Sequence, residues 1–118
     1  MVLLPGGLGG VHSILASETA MNFIRLAYEK NCLIAAICAA PTILASLHIT
    51  DGRRATCYPG LEDQMDAAKM IPCGAVQDGN VITGRAAGSA DEFGLACLRA
   101  LKGEDTARQV AADIVYRA

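Results

Sequence analysis

The run "CLIAAI", residues 32–37, is apolar without interruption and passes directly through Cys38 into "AAPTILASLHI". An apolar run of this length with no polar face fits a strand covered on both sides, as in a parallel sheet. The segment that follows reads as a helix with Pro41 in its first turn, a position that tolerates proline. A strand feeding a helix with no intervening loop is the strongest constraint in the chain. It calls for an α/β layer structure, and it puts Cys38 on the turn.

A residue at such a junction takes a strained conformation, with its side chain at the carboxyl end of the sheet. Its neighbours must be small, and Ala36, Ala39 and Ala40 are. A thiol at a helix N-terminus sees the positive end of the helix dipole, which favours the thiolate. Cysteine is equally at home as a small packing residue in a core. The junction alone leaves both readings open.

The rest of the chain repeats the alternation. "MVLL" reads as a buried strand running into a glycine loop, "PGGLGG". "SETAMNFIRLAYEKN" reads as a helix with Ser17 as N-cap, Ala20, Phe23, Ile24 and Ala27 on one face, and Asn31 at its end. A short strand is expected at Arg54–Cys57. "LEDQMDAAKM" is expected to be helical, with Glu62 and Asp63 near its start. "AVQDGNVIT" carries a hairpin signal around Asp78, Gly79 and Asn80. "GSADEFGLACLRALKG" opens with Ser89 and Glu92 at capping-box spacing and ends at Gly103. A last helix is expected over 105–116. The whole of 1–118 is expected to be one domain, with about three core strands and a hairpin. A doubly wound sheet has five or so parallel strands, so the count is short.

Composition narrows the function classes. The 118 residues carry 12 acidic and 10 basic side chains, for a formal net charge of −2, with no Trp and 4% aromatics. Neither a nucleic-acid groove nor a membrane-binding surface is expected. No apolar run reaches bilayer length, and "MVLLPGG" lacks the regions of a signal peptide. Five cysteines, an odd number with no CxxC pair, fit free thiols in a reducing compartment, with a cytoplasmic location expected and neither a metal site nor a disulfide framework.

The segments "LLPGGLGG", "IAAICAAPTILA", "GRRATCYPG" and "DGNVITGRAAGSADEF" together resemble consecutive segments of the ThiJ/PfpI family, in its Parkinsonism-associated deglycase-like branch. The resemblance spans nearly the whole chain. It implies a flavodoxin-like parallel sheet with helices on both faces and a β-hairpin, and a homodimer. It implies that Cys38 is the reactive, easily oxidised cysteine. Gly6 and Gly7 match the turn whose backbone amides, with that of Ala39, face the cysteine as an oxyanion hole.

Several positions depart from the family pattern. Tyr58 stands where some members carry histidine; it can donate a hydrogen bond but is a poor base near neutral pH. Gly84 stands where many have serine, and Ala86–Ala87 where many have Gly-Pro. The family's glutamate, which hydrogen-bonds the cysteine, belongs to a first βα unit, and the chain is expected to lack that unit. The exposed strand "MVLL" is then expected to associate with the absent segment, supplied separately, or with another copy of the chain.

The resemblance implies chemistry on reactive carbonyls, of glyoxalase-III or deglycase type, with no metal or cofactor and with a small aldehyde or a glycated molecule as substrate. Cys38 is the expected nucleophile; Gly6, Gly7, Ala39, Tyr58, His12 and Arg85 are the expected binding residues. The alternatives are a redox sensor or stress chaperone acting through oxidation of Cys38, a cysteine amidase or peptidase, and an inactive fragment. His48, at a helix end, reads as structural. Cys57 is expected to point away from Tyr58, on the opposite face of a strand. Cys32, Cys73 and Cys97 read as packing residues.

Overall fold

A computed structural model describes residues 1–117. Strands β1 (Val2–Leu4), β2 (Ile34–Ile37), β5 (Ala75–Asp78) and β6 (Val81–Gly84) form one sheet in the order β1-β2-β6-β5. β1, β2 and β6 are parallel, with Leu3 opposite Ala35 and Ala35 opposite Ile82. β5 returns antiparallel to β6 through the expected hairpin, with Gly79 at φ 62° in its turn. A second, two-stranded parallel pair joins β3 (Arg54–Ala55) to β4 (Lys69–Met70).

Side-chain alternation divides the core between two faces. Ile34, Ala36 and Val81 pack against Val11 of helix α1 (Leu8–Leu15), Ile24 of α2 (Glu18–Glu29) and Ile43 and Leu44 of α3 (Pro41–Ser46). Ala35 and Ile82 face the other way, onto Phe93, Ala96 and Cys97 of α4 (Ala90–Lys102). Helix α5 (Glu104–Asp113) packs on α4. Ile34, Ala35 and Ala36 have no exposed surface, which accounts for the unbroken apolar run. Helices therefore cover both faces, as expected.

Local signals match in detail. The Ser17 hydroxyl accepts from the Ala20 amide at 3.1 Å and caps α2. Asn31 and His48, expected at helix ends, are left-handed at φ 62° and 61°. His48 Nδ1 lies 3.0 Å from Asp51 Oδ2.

Three expectations are corrected. The glycine loop after Gly7 is in fact α1, in spite of the poor helix propensity of Gly9 and Gly10. Burial of Val11 against the sheet outweighs that propensity. The segment expected to be helical over 61–70 makes only a single 3₁₀ turn at Glu62–Met65. The Lys69 and Ile71 amides then donate to the Arg53 and Ala55 carbonyls, so strand pairing takes the rest. Ser89 does not cap α4 with its side chain. Its hydroxyl accepts from the Ala86 amide and donates to the Ala86 carbonyl, closing a local turn instead.

Candidate functional site

The junction after β2 is a strained turn. Cys38 has φ 67°, in the left-handed region that non-glycine residues avoid. Two backbone bonds fix it there. Its amide donates to the Gly84 carbonyl at the end of β6 (3.0 Å), and its carbonyl accepts from the Tyr58 amide (2.8 Å). Strain of this kind persists only where surrounding contacts over-determine it.

The sequence folds this way because each neighbour leaves room. Ala39 and Ala40 are buried, and Pro41 starts α3. Gly6 lies against the cysteine: a Cβ placed on Gly6 would fall 2.7 Å from the Cys38 Cβ. Gly7 has φ 95°, which glycine adopts without penalty, and turns the chain from β1 into α1. Among the described residues, the amides of Gly6, Gly7 and Ala39 donate to no backbone or side-chain acceptor.

The Cys38 side chain opens on a hollow of about 360 Å³ lined by Gly7, Leu8, Cys38, Ala39, Tyr58, Pro59, Gly60 and Leu61. Among the described residues, no charged side chain lines it. Its rim is fixed by Glu62, whose carboxylate oxygens accept from the Gly60 amide at 2.7 and 3.1 Å.

Of the expected site residues, Gly7, Cys38, Ala39 and Tyr58 line this hollow, and Gly6 lies against Cys38. His12 is exposed on α1 and does not line the hollow. Its expected place beside the site assumed a loop, and the helix removes it. Arg85 lies in an adjoining cleft, which shares only Pro59 with the first. Leu8, Pro59, Gly60 and Leu61 were not foreseen as lining residues. Their signal in the sequence was their place directly after Gly7 and Tyr58.

The other thiols differ in setting. Cys57 is buried with Ala55 and Met65 while Tyr58 is exposed, but the strand expected over Arg54–Cys57 ends at Ala55, so both residues lie beyond it. Burial, and after it the Glu62 carboxylate, push the Cys57 pKa up to about 11. Burial alone pushes Cys97 to about 11. Both stay protonated at neutral pH and are poor nucleophiles. Cys32, Cys38 and Cys73 are half-buried, and none of the five forms a disulfide.

Comparison with known proteins places these features in context. The DJ-1/PfpI family matches residues 1–100. The chain is 38% identical over 113 residues to Protein dj-1beta of Drosophila melanogaster, covering 94% of this chain and 60% of that protein. It is 38% identical over 120 residues to the Parkinson disease protein 7 homolog of Danio rerio, covering 99% and 64%. The crystal structure of Drosophila melanogaster DJ-1beta superposes with a TM-score of 0.92 at 36% identity, covering 99% of this chain and 64% of that one. An oxidised Toxoplasma gondii DJ-1 superposes with a TM-score of 0.86 at 27% identity, covering 96% and 62%. The flavodoxin-like arrangement is thus shared with these structures. The chain spans less than two thirds of the length of each of these relatives.

Proposed function

We propose a function from one premise: this chain belongs to the DJ-1/PfpI family. On that reading Cys38 is the nucleophile of a protein that acts on reactive carbonyl compounds, such as methylglyoxal and its early adducts. The observation that carries the reading is the strained Cys38 turn beside three amides without acceptors.

The chemistry follows from that arrangement. The Cys38 thiolate adds to the aldehyde carbon, a C–S bond forms, and the carbonyl π pair moves onto oxygen. On this reading the Gly6, Gly7 and Ala39 amides, which have no acceptor among the described residues, donate to that oxygen, and a proton then gives a hemithioacetal. Conversion to a hydroxy acid further needs a proton moved between neighbouring carbons, which gives a thioester, and then water to cleave the C–S bond and release the thiol. Among the described residues, Tyr58 is the one titratable side chain besides Cys38 that lines the hollow, and it is a weak base. We assign that transfer to a carboxylate from outside the lining residues, so this chain adds carbonyls but turns them over negligibly by itself.

The test is to incubate the protein with methylglyoxal and count free thiols and lactate. The reading expects one thiol masked reversibly, none masked in Cys38→Ser, and no lactate. A masked thiol that survives in Cys38→Ser contradicts the nucleophile; steady lactate contradicts the assignment of the proton transfer to a group outside the lining residues.

A second reading is oxidation of the same thiol by a hydroperoxide, to the sulfenate and then the sulfinate. It is favoured by the open hollow around the thiol, and one structural relative is an oxidised DJ-1. The amidase reading finds no histidine lining the hollow. Five free thiols fit a reducing, cytoplasmic location. The unpaired outer edge of β1 fits self-association.

A further inference from the structure

Among the described residues, no charged side chain lines the hollow that exposes Cys38, yet the cleft next to it is lined by the cation Arg85. Arg85 lines a cleft of about 370 Å³ with Pro59, Gly74, Ala86, Gly88 and Ser89. Pro59 is a wall common to both spaces. The backbone ties them together more closely. Arg85 directly follows Gly84, whose carbonyl holds the Cys38 amide at 3.0 Å, and Pro59 directly follows Tyr58, whose amide holds the Cys38 carbonyl at 2.8 Å.

The Arg85 backbone is committed, since its amide donates to the Gly74 carbonyl at 2.9 Å. Its guanidinium is not. Among the described residues it makes no ion pair and no side-chain hydrogen bond, whereas Arg53, Arg54, Arg99 and Arg108 all have partners. It is half-buried, so its five donors are partly withdrawn from water with nothing in exchange. Its charge is felt inside the protein, where it draws the Cys57 thiol down against the larger effect of burial. Glu62, the acid on the loop that rims the hollow, is already turned to the Gly60 amide.

We infer that Arg85 binds an oxyanion carried by the substrate of Cys38, so that the carbonyl compounds this site takes best bear a carboxylate or a phosphate. A planar guanidinium suits either group, because it can donate two parallel hydrogen bonds to a pair of oxygens. The carbonyl end reaches Cys38 in the hollow, and the anionic end lies towards Pro59, within the field of the Arg85 guanidinium. Selection is therefore by charge at one end and electrophilicity at the other. The inference rests on the nucleophile reading of Cys38.

Two alkylating reagents of nearly equal size separate the charge effect from everything else. Iodoacetate carries a carboxylate where iodoacetamide carries a neutral amide, and both are attacked by the same thiolate. In each case a C–S bond forms as iodide leaves. Their rate ratio at Cys38, read by peptide mass spectrometry, cancels any change in thiolate fraction. The full chain should show a higher iodoacetate-to-iodoacetamide ratio than glutathione does. Arg85→Gln should lower that ratio about fivefold, and Arg85→Lys should keep most of it. At constant ionic strength, acetate or inorganic phosphate should slow iodoacetate labelling more than iodoacetamide labelling, and the stronger of the two identifies the preferred oxyanion. A ratio equal to that of glutathione, or unchanged in a folded Arg85→Gln, overturns the inference. If both reagents label a different cysteine first, the nucleophile reading has failed instead.

Discussion

Gly6 lies directly against Cys38: a Cβ on Gly6 would sit 2.7 Å from the cysteine Cβ and 3.4 Å from its Sγ. The first βα turn and the cysteine turn are thus pressed together with no space for one methyl group. Gly6→Ala should push the two loops apart and cost about 1–3 kcal/mol. Iodoacetamide labelling of Cys38 should change at the same time, because the turn that holds the thiol must move. Chemical denaturation together with labelling rates checks this. Unchanged stability and an unchanged rate would show that the contact is loose.

The thiols of Cys57 and Cys97 give a pH signature. Each is raised from 9.0 to about 11 in the folded protein. Between those values the unfolded chain loses protons that the folded chain keeps, so stability falls as pH rises from about 9 towards 11. Each thiol contributes on the order of 2–3 kcal/mol over that window. Urea midpoints across the range should drop, and the drop should be shallower in Cys97→Ala. Identical slopes for the two proteins would mean that Cys97 is not desolvated.

How far the site could be read from sequence depended on what fixes each residue. Cys38 was legible because the run into "AAPT" has no residue for a loop; the contrast between buried Cys57 and exposed Tyr58 was foreseen, but from a strand that in fact stops at Ala55. Asn31 and His48 were legible as residues that tolerate positive φ. The helix after Gly7 was not, since its first residues, "LGG", argue against it and only burial of Val11 favours it. The 61–70 segment was misread because helical composition gave way to pairing with β3, a contact invisible locally. The place of Arg85 behind Pro59 follows from tertiary packing and leaves no mark in the sequence.

Arg53 joins three parts of the fold. Its Nε donates to the Ile49 carbonyl (3.1 Å), one Nη to the Asp78 carbonyl (3.0 Å) and the other to the Tyr28 hydroxyl (2.8 Å). Its guanidinium also lies over the Tyr28 ring, 5.7 Å from the centroid. Arg53→Met should cost about 2 kcal/mol or more, because a charged donor set is lost and carbonyls are left unpaired. A loss below about 0.5 kcal/mol, the range of ordinary surface changes, would contradict this.

The edge of the sheet should drive association. β1 is the terminal strand, Leu3 is 46% exposed and Phe23 63%, and Val2, Leu4, Ile14 and Phe23 line an uncharged groove of about 450 Å³. Unpaired apolar strand edges are templates for pairing. Sedimentation should therefore give a mass above the 12.3 kDa of one chain, and Leu3→Lys should lower it. A stable monomer at assay concentrations would contradict this reading of the edge.

The central claim is that Cys38, alone among five thiols, is presented for reaction. Limiting iodoacetamide at neutral pH, followed by peptide mass spectrometry, tests it directly. The account predicts that Cys38 is labelled first, that methylglyoxal protects it reversibly, and that Cys57 and Cys97 stay unlabelled until the protein is unfolded. Faster labelling of Cys32 or Cys73, or labelling of Cys38 that methylglyoxal does not slow, would contradict it.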